Sequence, residues 1–443
     1  MTLGQPLWAQ TRHSRPQGCA PARCDAAIVG AGYTGLSAAL DLTDAGMSVC
    51  VFERGWIGDG ASSRNAGFCT INPSVSVFQL GKAGSDATRR WFEWFERAVD
   101  TTEAIAEHVG KFAPDAIGFK RCGSAKLAQT AAQARVLAEE VRVLAALGLH
   151  RRYLNASELG PALHSSFTGA RWDDTSAVLD PGQLHLGLAE AVCDKGAVIV
   201  EACPVVAAED VSGRLEIHHH HGVTVADRLL VATNGYAEFS IAPFRDFVLP
   251  VGSFIIATEP FAAEVNLGVL SSGAGLHTSY RFPHYFRLLP NRRFLFGGRS
   301  SLATNGNLAA CAQWLHARLR ELFPTLAIPP ASHCWGGRLG FAVDRRPLMG
   351  RLDARRYYAM GCAGHGVPTS LAFGRDVAAH MLGRPHAPAP FWREPGSSPV
   401  CISRALRYFM PVAQIGLKLR DAIDRMEDSH WLRRKPKTGS LVR

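Results

Sequence analysis

The chain has no long apolar run. No stretch approaches the ~18 consecutive apolar residues of a membrane-spanning helix, and the opening MTLGQPLWAQTRHSRPQG lacks the apolar core of a secretion signal. Export and membrane insertion are therefore not expected, and a cytoplasmic protein is. Paired cysteine motifs are missing too: the eleven cysteines are an odd number with no C-x-x-C among them, which argues against a disulfide framework or zinc site and fits a reducing compartment. No complete metal-ligand set is present, so no metal is expected. His333 and Cys334 are adjacent and His218 to His221 form a run of four, but the run lies between LEI and GVTVADRLLVAT and reads as the turn of a β-hairpin. No recognition motif accompanies the net charge of +10, so no nucleic-acid partner is expected.

What the chain does have is the make-up of a globular protein, with 47% hydrophobic and 19% charged residues over a length of 443. That length exceeds what one core usually supports, so two domains are expected. The positive charge is unevenly placed. Residues 404–443 hold ten Lys/Arg against four Asp/Glu, so +6 of the +10 lies in this tail. RALRYFMPVAQIGLKLRDAIDRMED reads as an amphipathic helix interrupted near Pro411, with WLRRKPK as a basic end. A docked terminal helix with a loose tail, and a peripheral contact with a membrane surface or acidic partner, are both open. Residues 1–24 carry Arg12, Arg15 and Arg23 and no acid; they read as a short disordered lead into the first strand, with an organelle presequence as the alternative.

Residues 25–54, DAAIVGAGYTGLSAALDLTDAGMSVCVFER, give an apolar strand, a G-x-G-x-x-G turn, a helix, a second apolar strand and an acid at its end. Gly30 allows the tight turn, Gly32 leaves room for a pyrophosphate against the backbone, and Gly35 lets helix and strand pack closely. Tyr33 and Thr34 open the helix, whose unpaired amides hold an anion without needing a Lys or Arg. Glu53 stands where a carboxylate accepts both hydroxyls of an adenosine ribose and repels a 2′-phosphate, which disfavours NADP. The following stretch, RGWIGDGASSRNAG (54–67), is too irregular for the next helix of a plain NAD domain. From Arg54 through Gly60 and Ala61 to Ser62, Ser63, Arg64 and Asn65 it offers hydroxyls, an amide and backbone N–H groups. Such a loop can wrap a second time around FAD, the dinucleotide whose reactive ring commonly remains inside the same chain; the alternative is an ordinary surface loop.

Further along, Asp86 to Val109 carries Trp91, Trp94, Phe95, Val99 and Ile105 at helical spacing, and residues 131–148 form a second helix. Residues 181–206 read as helix then strand, with Gly196 at the junction, returning to the nucleotide domain. DRLLVATNGY (227–236) reads as a hairpin whose buried strand places Thr233, Asn234 and Gly235 at a sheet's C-terminal edge, where ligands of open α/β sheets bind. Residues 244–335 lose the βαβ rhythm and read as a largely antiparallel second domain. There Tyr280, Arg281, His284, Tyr285, Phe286 and Arg287 suit a pocket for an amine or amino acid. Cross-strand aromatic pairs with snorkelling arginines account for them equally well. Last, the strand YYAMG runs into CAGHGV and a helix, so a helix N-terminus again points at an electron-rich group. In a flavoprotein that group is the pyrimidine side of the ring, and His365 is its neighbour or else a helix cap.

The two blocks GAGYTGLSAALDLTDAGMSVCVFERGWIGDGASSRNAG and WGG…D..P.MGR…YY.MGCAGHGV…G, with HYFRLLPNRRFLFGGR between them, resemble the D-amino-acid-oxidase-type FAD-dependent oxidoreductases, most of all the bacterial gamma-glutamylputrescine oxidase group, over about residues 25–383. The resemblance implies an α/β protein (α+β overall). Its Rossmann-like FAD-binding domain is assembled from residues 25–100, 175–243 and 335–384, beside a mainly antiparallel β substrate domain (101–174 and 244–334) and a basic helical extension (385–443). It implies oxidation of an amine C–N bond by hydride transfer to flavin, the imine then being hydrolysed, with oxygen or an electron carrier as acceptor.

By matching motifs, Gly30, Gly32, Gly35 and Glu53 hold the ADP half. Ser62, Arg64 and Asn65 line the ring or phosphate side, Val205 the adenine, and Gly364, His365, Gly366 and Val367 the pyrimidine. Arg281 and Arg287 are the candidates for a substrate carboxylate and Tyr285 for its alkyl chain. Some relatives attach flavin through a cysteine in the last third; Cys334 is a few residues out of place relative to Asp344, so noncovalent FAD is expected. Two departures stand out. The group's RNGGQ is here Arg64-Asn65-Ala66-Gly67-Phe68, and its Tyr-Ser pair is Cys362-Ala363. Both remove polar groups near the expected ring, which leaves a noncatalytic flavin-binding partner as one alternative; a quinone- or carrier-linked dehydrogenase, for which the basic tail offers a docking surface, is another, and a nicotinamide dehydrogenase would leave CAGHGV unexplained.

Overall fold

A computed structural model describes residues 1–8, 18–71, 75–82, 84–263, 265, 267–280, 282–299, 303–384 and 389–397. The tail assigned above to a basic helix lies outside the described residues, as does Arg281. Six helices matter to the site: α1 (Tyr33–Asp44), α2 (Ser85–Val109), α3 (Ala131–Ala146), α4 (Pro181–Asp194), α5 (Leu308–Leu322) and α6 (Gly366–Met381).

Apolar runs without alternation build the first sheet, because both of its faces are covered. Its parallel core runs Val198–Val200, Val49–Phe52, Arg23–Val29, Gly222–Val231, Arg356–Met360, followed by the antiparallel Leu348–Arg351. α1, α2, α4 and α6 bury Leu36, Trp94, Leu188 and Leu371 in one core against it. Phe52, Leu229 and Tyr358 sit in a second core on the other face. The long strand Gly222–Val231 also pairs antiparallel with Arg214–His219, so the histidine run does close a hairpin. DRLLVATNGY is not one. It is the end of that parallel strand, followed by a 3₁₀ turn over Asn234–Phe239, because Leu229 to Val231 are already paired on both sides.

Period-two alternation builds the second, mostly antiparallel sheet. Its order is Thr2–Leu3, Ala331–Phe341, Leu249–Pro260, Arg293–Gly298, Tyr285–Leu288, Gly275–Thr278, Ser124–Ala128, Gly169–Asp173 and Arg152–Asn155. One face sends Phe254, Phe286, Phe294 and Phe296 into a core closed by α5. The other presents Tyr285, Ile255 and Trp335 toward Ala66 and Phe68 of the loop after the first βαβ unit. The start of the chain departs from a disordered lead. Thr2 and Leu3 pair in parallel with His333 and Cys334. Trp8 is buried edge-on against Trp335, with ring centroids 5.6 Å apart, and its Nε1 donates to the Ser63 carbonyl at 2.8 Å. An isolated Trp in a polar sequence gives no periodicity from which such docking can be read.

Candidate active site

The glycine turn forms the floor of a cavity of about 350 Å³. Gly30 has φ +106°, and a Cβ there would stand 2.9 Å from the Ala232 carbonyl oxygen, so the turn requires glycine. Its amide donates to the Phe52 carbonyl at 2.8 Å, pinning the turn to the second strand. α1 starts without a side-chain cap from its own N-cap residue, Gly32; the Tyr33 amide instead donates to Ser62 Oγ at 2.9 Å. Ser62 thus stands at the helix N-terminus with its own proton free to turn toward an anion. Glu53 accepts from the Ala31 and Gly55 amides at 2.9 Å through its two oxygens, which fixes the carboxylate at the cavity wall. Burial pushes its carboxyl pKa up, against the pull of those two amides.

The cavity collects Gly30, Gly32, Tyr33, Thr34, Glu53, Arg54, Gly60, Ala61, Ser62, Val205, Thr233 and Asn234. Thr233 Oγ1 is buried there with no protein partner, as expected of a group kept for a ligand. Asn234 lines the wall but spends its side chain on the last glycine block: Oδ1 accepts from the Gly361 amide at 2.9 Å, and Nδ2 donates to Cys362 Sγ at 3.0 Å. The thiol at 362 therefore retains a hydrogen bond despite the departure from Tyr-Ser.

Other sequence-predicted residues lie outside this cavity. Gly35 sits under the helix, where a Cβ would press on the Gly30 carbonyl and on Ile28. Arg64 is turned away, donating through Nε to the Gly336 carbonyl and through a terminal nitrogen to that of Gly4, both at 2.6 Å. Asn65 donates to the Ala61 and Ser62 carbonyls and accepts from the Gly67 amide, closing its own turn. Their polar groups are consumed in shaping the loop. Gly364, His365, Gly366 and Val367 form the start of α6, which has no side-chain cap and no acid in its first turn; Ser370, one turn further, reaches the cavity.

Across from α6 lies the inward face of the second sheet. Tyr285 bonds Ser253 Oγ through its hydroxyl at 2.9 Å, and Phe68 meets it edge-on with centroids 6.0 Å apart. Burial raises the Tyr285 pKa, so the phenol stays protonated. Arg287 is only 5% exposed. One terminal nitrogen donates to the Leu179 carbonyl at 2.8 Å, its Nε has no partner, and burial lowers its pKa to about 10. Its terminal nitrogen packs over Gly67, so the guanidinium braces the loop instead of standing open. His284 is not on this face; it stacks on Phe296 at 5.1 Å on the α5 side. His365 is half-buried and held neutral. Desolvation, then the positive charges of Arg299 and Arg345, lower its pKa to about 4.

Sequence reasoning missed four contributors. His185, on α4, lines the cavity and bridges the glycine turn and the 54–67 loop, bonding Ser63 Oγ at 2.6 Å through Nδ1 and the Ala31 carbonyl at 2.7 Å through Nε2. That carbonyl can only accept, so Nε2 carries the proton and Nδ1 accepts from Ser63. Tyr236 and Arg338 also line the cavity, with Arg338 paired to Glu238. Arg299, beyond the strand end, comes within reach of Gly364 and faces the Phe341 ring at 5.1 Å.

Amide donors, an anchored carboxylate and an unpartnered hydroxyl around one elongated cavity fit the ADP half of a dinucleotide. Cys334 cannot reach it. Its neighbour Trp335 faces the cofactor loop, whereas Cys334 lies in the opposite core, and burial raises its thiol pKa to about 12.

A family model described as "FAD dependent oxidoreductase" (DAO) matches residues 25–380. The chain is 30% identical over 374 residues to the probable oxidoreductase OrdL of Haemophilus influenzae, covering 81% of this chain and 83% of that one. It is 27% identical over 364 residues to gamma-glutamylputrescine oxidoreductase of Escherichia coli, covering 81% and 84%. Glycine oxidase from Geobacillus kaustophilus superposes with a TM-score of 0.73 at 22% identity, over 84% of this chain and 98% of that one, a likeness of fold. No helix among the described residues is long and apolar enough to cross a membrane.

Proposed function

Starting from a chain that belongs to the DAO family of FAD dependent oxidoreductases and takes FAD as its cofactor, we propose that it oxidises the C–N bond of a small amine or amino acid, gamma-glutamylputrescine-like or N-substituted. Membership of a family of oxidoreductases favours this over a noncatalytic flavin binder. The observation that carries the substrate reading is the pairing of two walls: the uncapped start of α6 with a neutral His365 on one side, and Tyr285 with Ser253 on the other. Relatives named for gamma-glutamylputrescine and glycine support it.

In this reading Glu53 accepts the adenosine ribose hydroxyls, and the α1 amides with Ser62 and Thr233 hold the pyrophosphate. Bound FAD supplies the hydride acceptor for the carbon beside the amine nitrogen. The α6 amides present positive dipole ends where negative charge accumulates. His365, uncharged above about pH 5, adds no cation that would repel a protonated amine on entry. Tyr285, Phe68 and Ser253 hold the substrate's alkyl portion and exclude water, positioning the C–H bond. No strong base is required of the protein.

The test is a turnover screen of the purified holoprotein with polyamines, N-acylated polyamines, N-methyl amino acids and amino acids, using oxygen and an artificial acceptor in parallel. An aldehyde or keto acid formed from one class supports the reading, and the faster acceptor separates oxidase from dehydrogenase. Oxidation of alcohols alone would overturn it.

A further inference from the structure

The inward face of the second sheet carries a feature that FAD binding does not use. Strand register places Arg171 beside Lys126, Lys126 beside His277, and His277 beside Tyr285. The row continues to Gly297, Ile255 and Trp335. Alternation puts all of them on the face opposite the phenylalanine core. Lys126 and Arg171 share one carboxylate: Glu140, from α3, takes Lys126 Nζ at 3.2 Å and Arg171 at 2.5 Å through its separate oxygens. Glu140 is 2% exposed, Arg171 10% and Lys126 26%, so two shielded cations meet one anion. Beside them His277 Nε2 is buried with no partner. Burial, reinforced by the cations Lys126 and Arg171, holds that imidazole neutral. Further along the same face Arg299 is buried, which lowers its pKa to about 10. Two cations against the single Glu140 carboxylate leave the row with an excess positive charge in a shielded place, which is costly unless an anion arrives.

We propose that the Arg171–Lys126–His277 row is a subsite for a carboxylate at the end of the substrate remote from the oxidised carbon. Lys126 lies two strands from Tyr285, about 10 Å at the spacing of neighbouring strands. The substrate class is thus an amine whose chain ends in a carboxylate about 10 Å from the reacting nitrogen. Lys126 supplies the charge, and His277 Nε2, in the Nε2–H tautomer, one N–H donor. This deepens the proposed function and rests on it for the amine half only.

The experiment titrates the FAD-loaded protein with 8-acetamidooctanoate, a carboxylate without an oxidisable amine whose nitrogen lies about 10 Å from the carboxylate, and with its carboxamide, following heat and the flavin difference spectrum. The carboxylate is expected to bind at least tenfold more tightly than the carboxamide. Lys126→Met should abolish that preference and Lys126→Arg keep most of it. Equal affinities in the unaltered protein, binding of neither probe, or a preference that survives Lys126→Met would each overturn the subsite. The probe is not turned over, so a protein that prefers the carboxylate yet oxidises no amine would sink the functional reading and leave the subsite standing.

Discussion

Replacing Glu53 with Gln tests the cofactor wall with a change of a single atom. The carboxylate takes one backbone amide on each oxygen, Ala31 and Gly55, both at 2.9 Å. Glutamine has one carbonyl oxygen and must turn its NH₂ toward the other amide, so a donor faces a donor and one buried N–H loses its partner. An orphaned donor costs about 1–3 kcal/mol, and a hydrogen bond to a charged acceptor is worth about 1.5–3. The orphaned amide lowers stability with or without cofactor; what falls on FAD is the weaker grip on the adenosine ribose, a loss of about 1.5–3 kcal/mol, or a fall in FAD affinity of about 10-fold to 150-fold. The assay is a titration of apoprotein with FAD, followed by quenching of flavin fluorescence, beside the same titration with FMN, which lacks adenosine. Glu53→Gln should weaken FAD strongly and FMN little. Burial raises the Glu53 pKa, so in the unaltered protein FAD retention should fall as pH drops through a value above the ordinary glutamate range; the variant should lack that limb. Equal weakening of FAD and FMN, or no weakening, would refute the assignment.

Four further outcomes follow from the geometry. His365 has a folded pKa of about 4, below its unfolded value, so the unfolded chain binds the extra proton between about pH 6.5 and 4; stability should decline as pH falls through that window, and urea melts of His365→Asn should show a shallower decline. Gly374 faces α1 so closely that a Cβ would stand 2.5 Å from the Thr34 carbonyl oxygen and 2.7 Å from Ala38 N; Gly374→Ala should cost about 1–3 kcal/mol or more by prising the helices apart, read as a lowered Tm. Trp8→Ala removes a buried indole and the partner of the Ser63 carbonyl, a loss of about 3–5 kcal/mol, and thermal melts should drop more steeply without added FAD than with it. Acid precipitation should release all yellow colour into the supernatant, since Cys334 faces away from the cofactor; colour in the pellet would contradict noncovalent binding.

Much of the nucleotide half was legible because its chemistry is local. Gly30, Gly32 and Glu53 sit within one βαβ unit, and their spacing encodes the turn, the helix start and the strand end. The CAGHGV block was legible for the same reason, as a strand running into a helix. What escaped reading depends on contacts between distant segments. His185 lies in an ordinary helical pattern, and nothing in PGQLHLGLAEA marks its bond to Ser63, 122 residues away. Arg64 and Asn65 have the composition of ligand residues, but the loop needs their hydrogen bonds to hold its own path. Arg287 has the character of an open carboxylate binder, but its guanidinium donates to the Leu179 carbonyl, a segment 108 residues away. The Lys126–His277–Arg171 row comes from three strands whose pairing is set by tertiary topology, and no single segment contains two of its members.

The central claim, that this is an FAD-dependent oxidoreductase acting at an amine C–N bond, is tested most directly by anaerobic mixing of the holoprotein with a carboxylate-ended amine, unlabelled or deuterated at the carbon beside nitrogen. The account predicts bleaching of the visible flavin bands, slowed severalfold by deuterium as that C–H bond breaks. Flavin that stays oxidised with every amine supplied, or that bleaches only with substrates lacking a C–N bond, would contradict it.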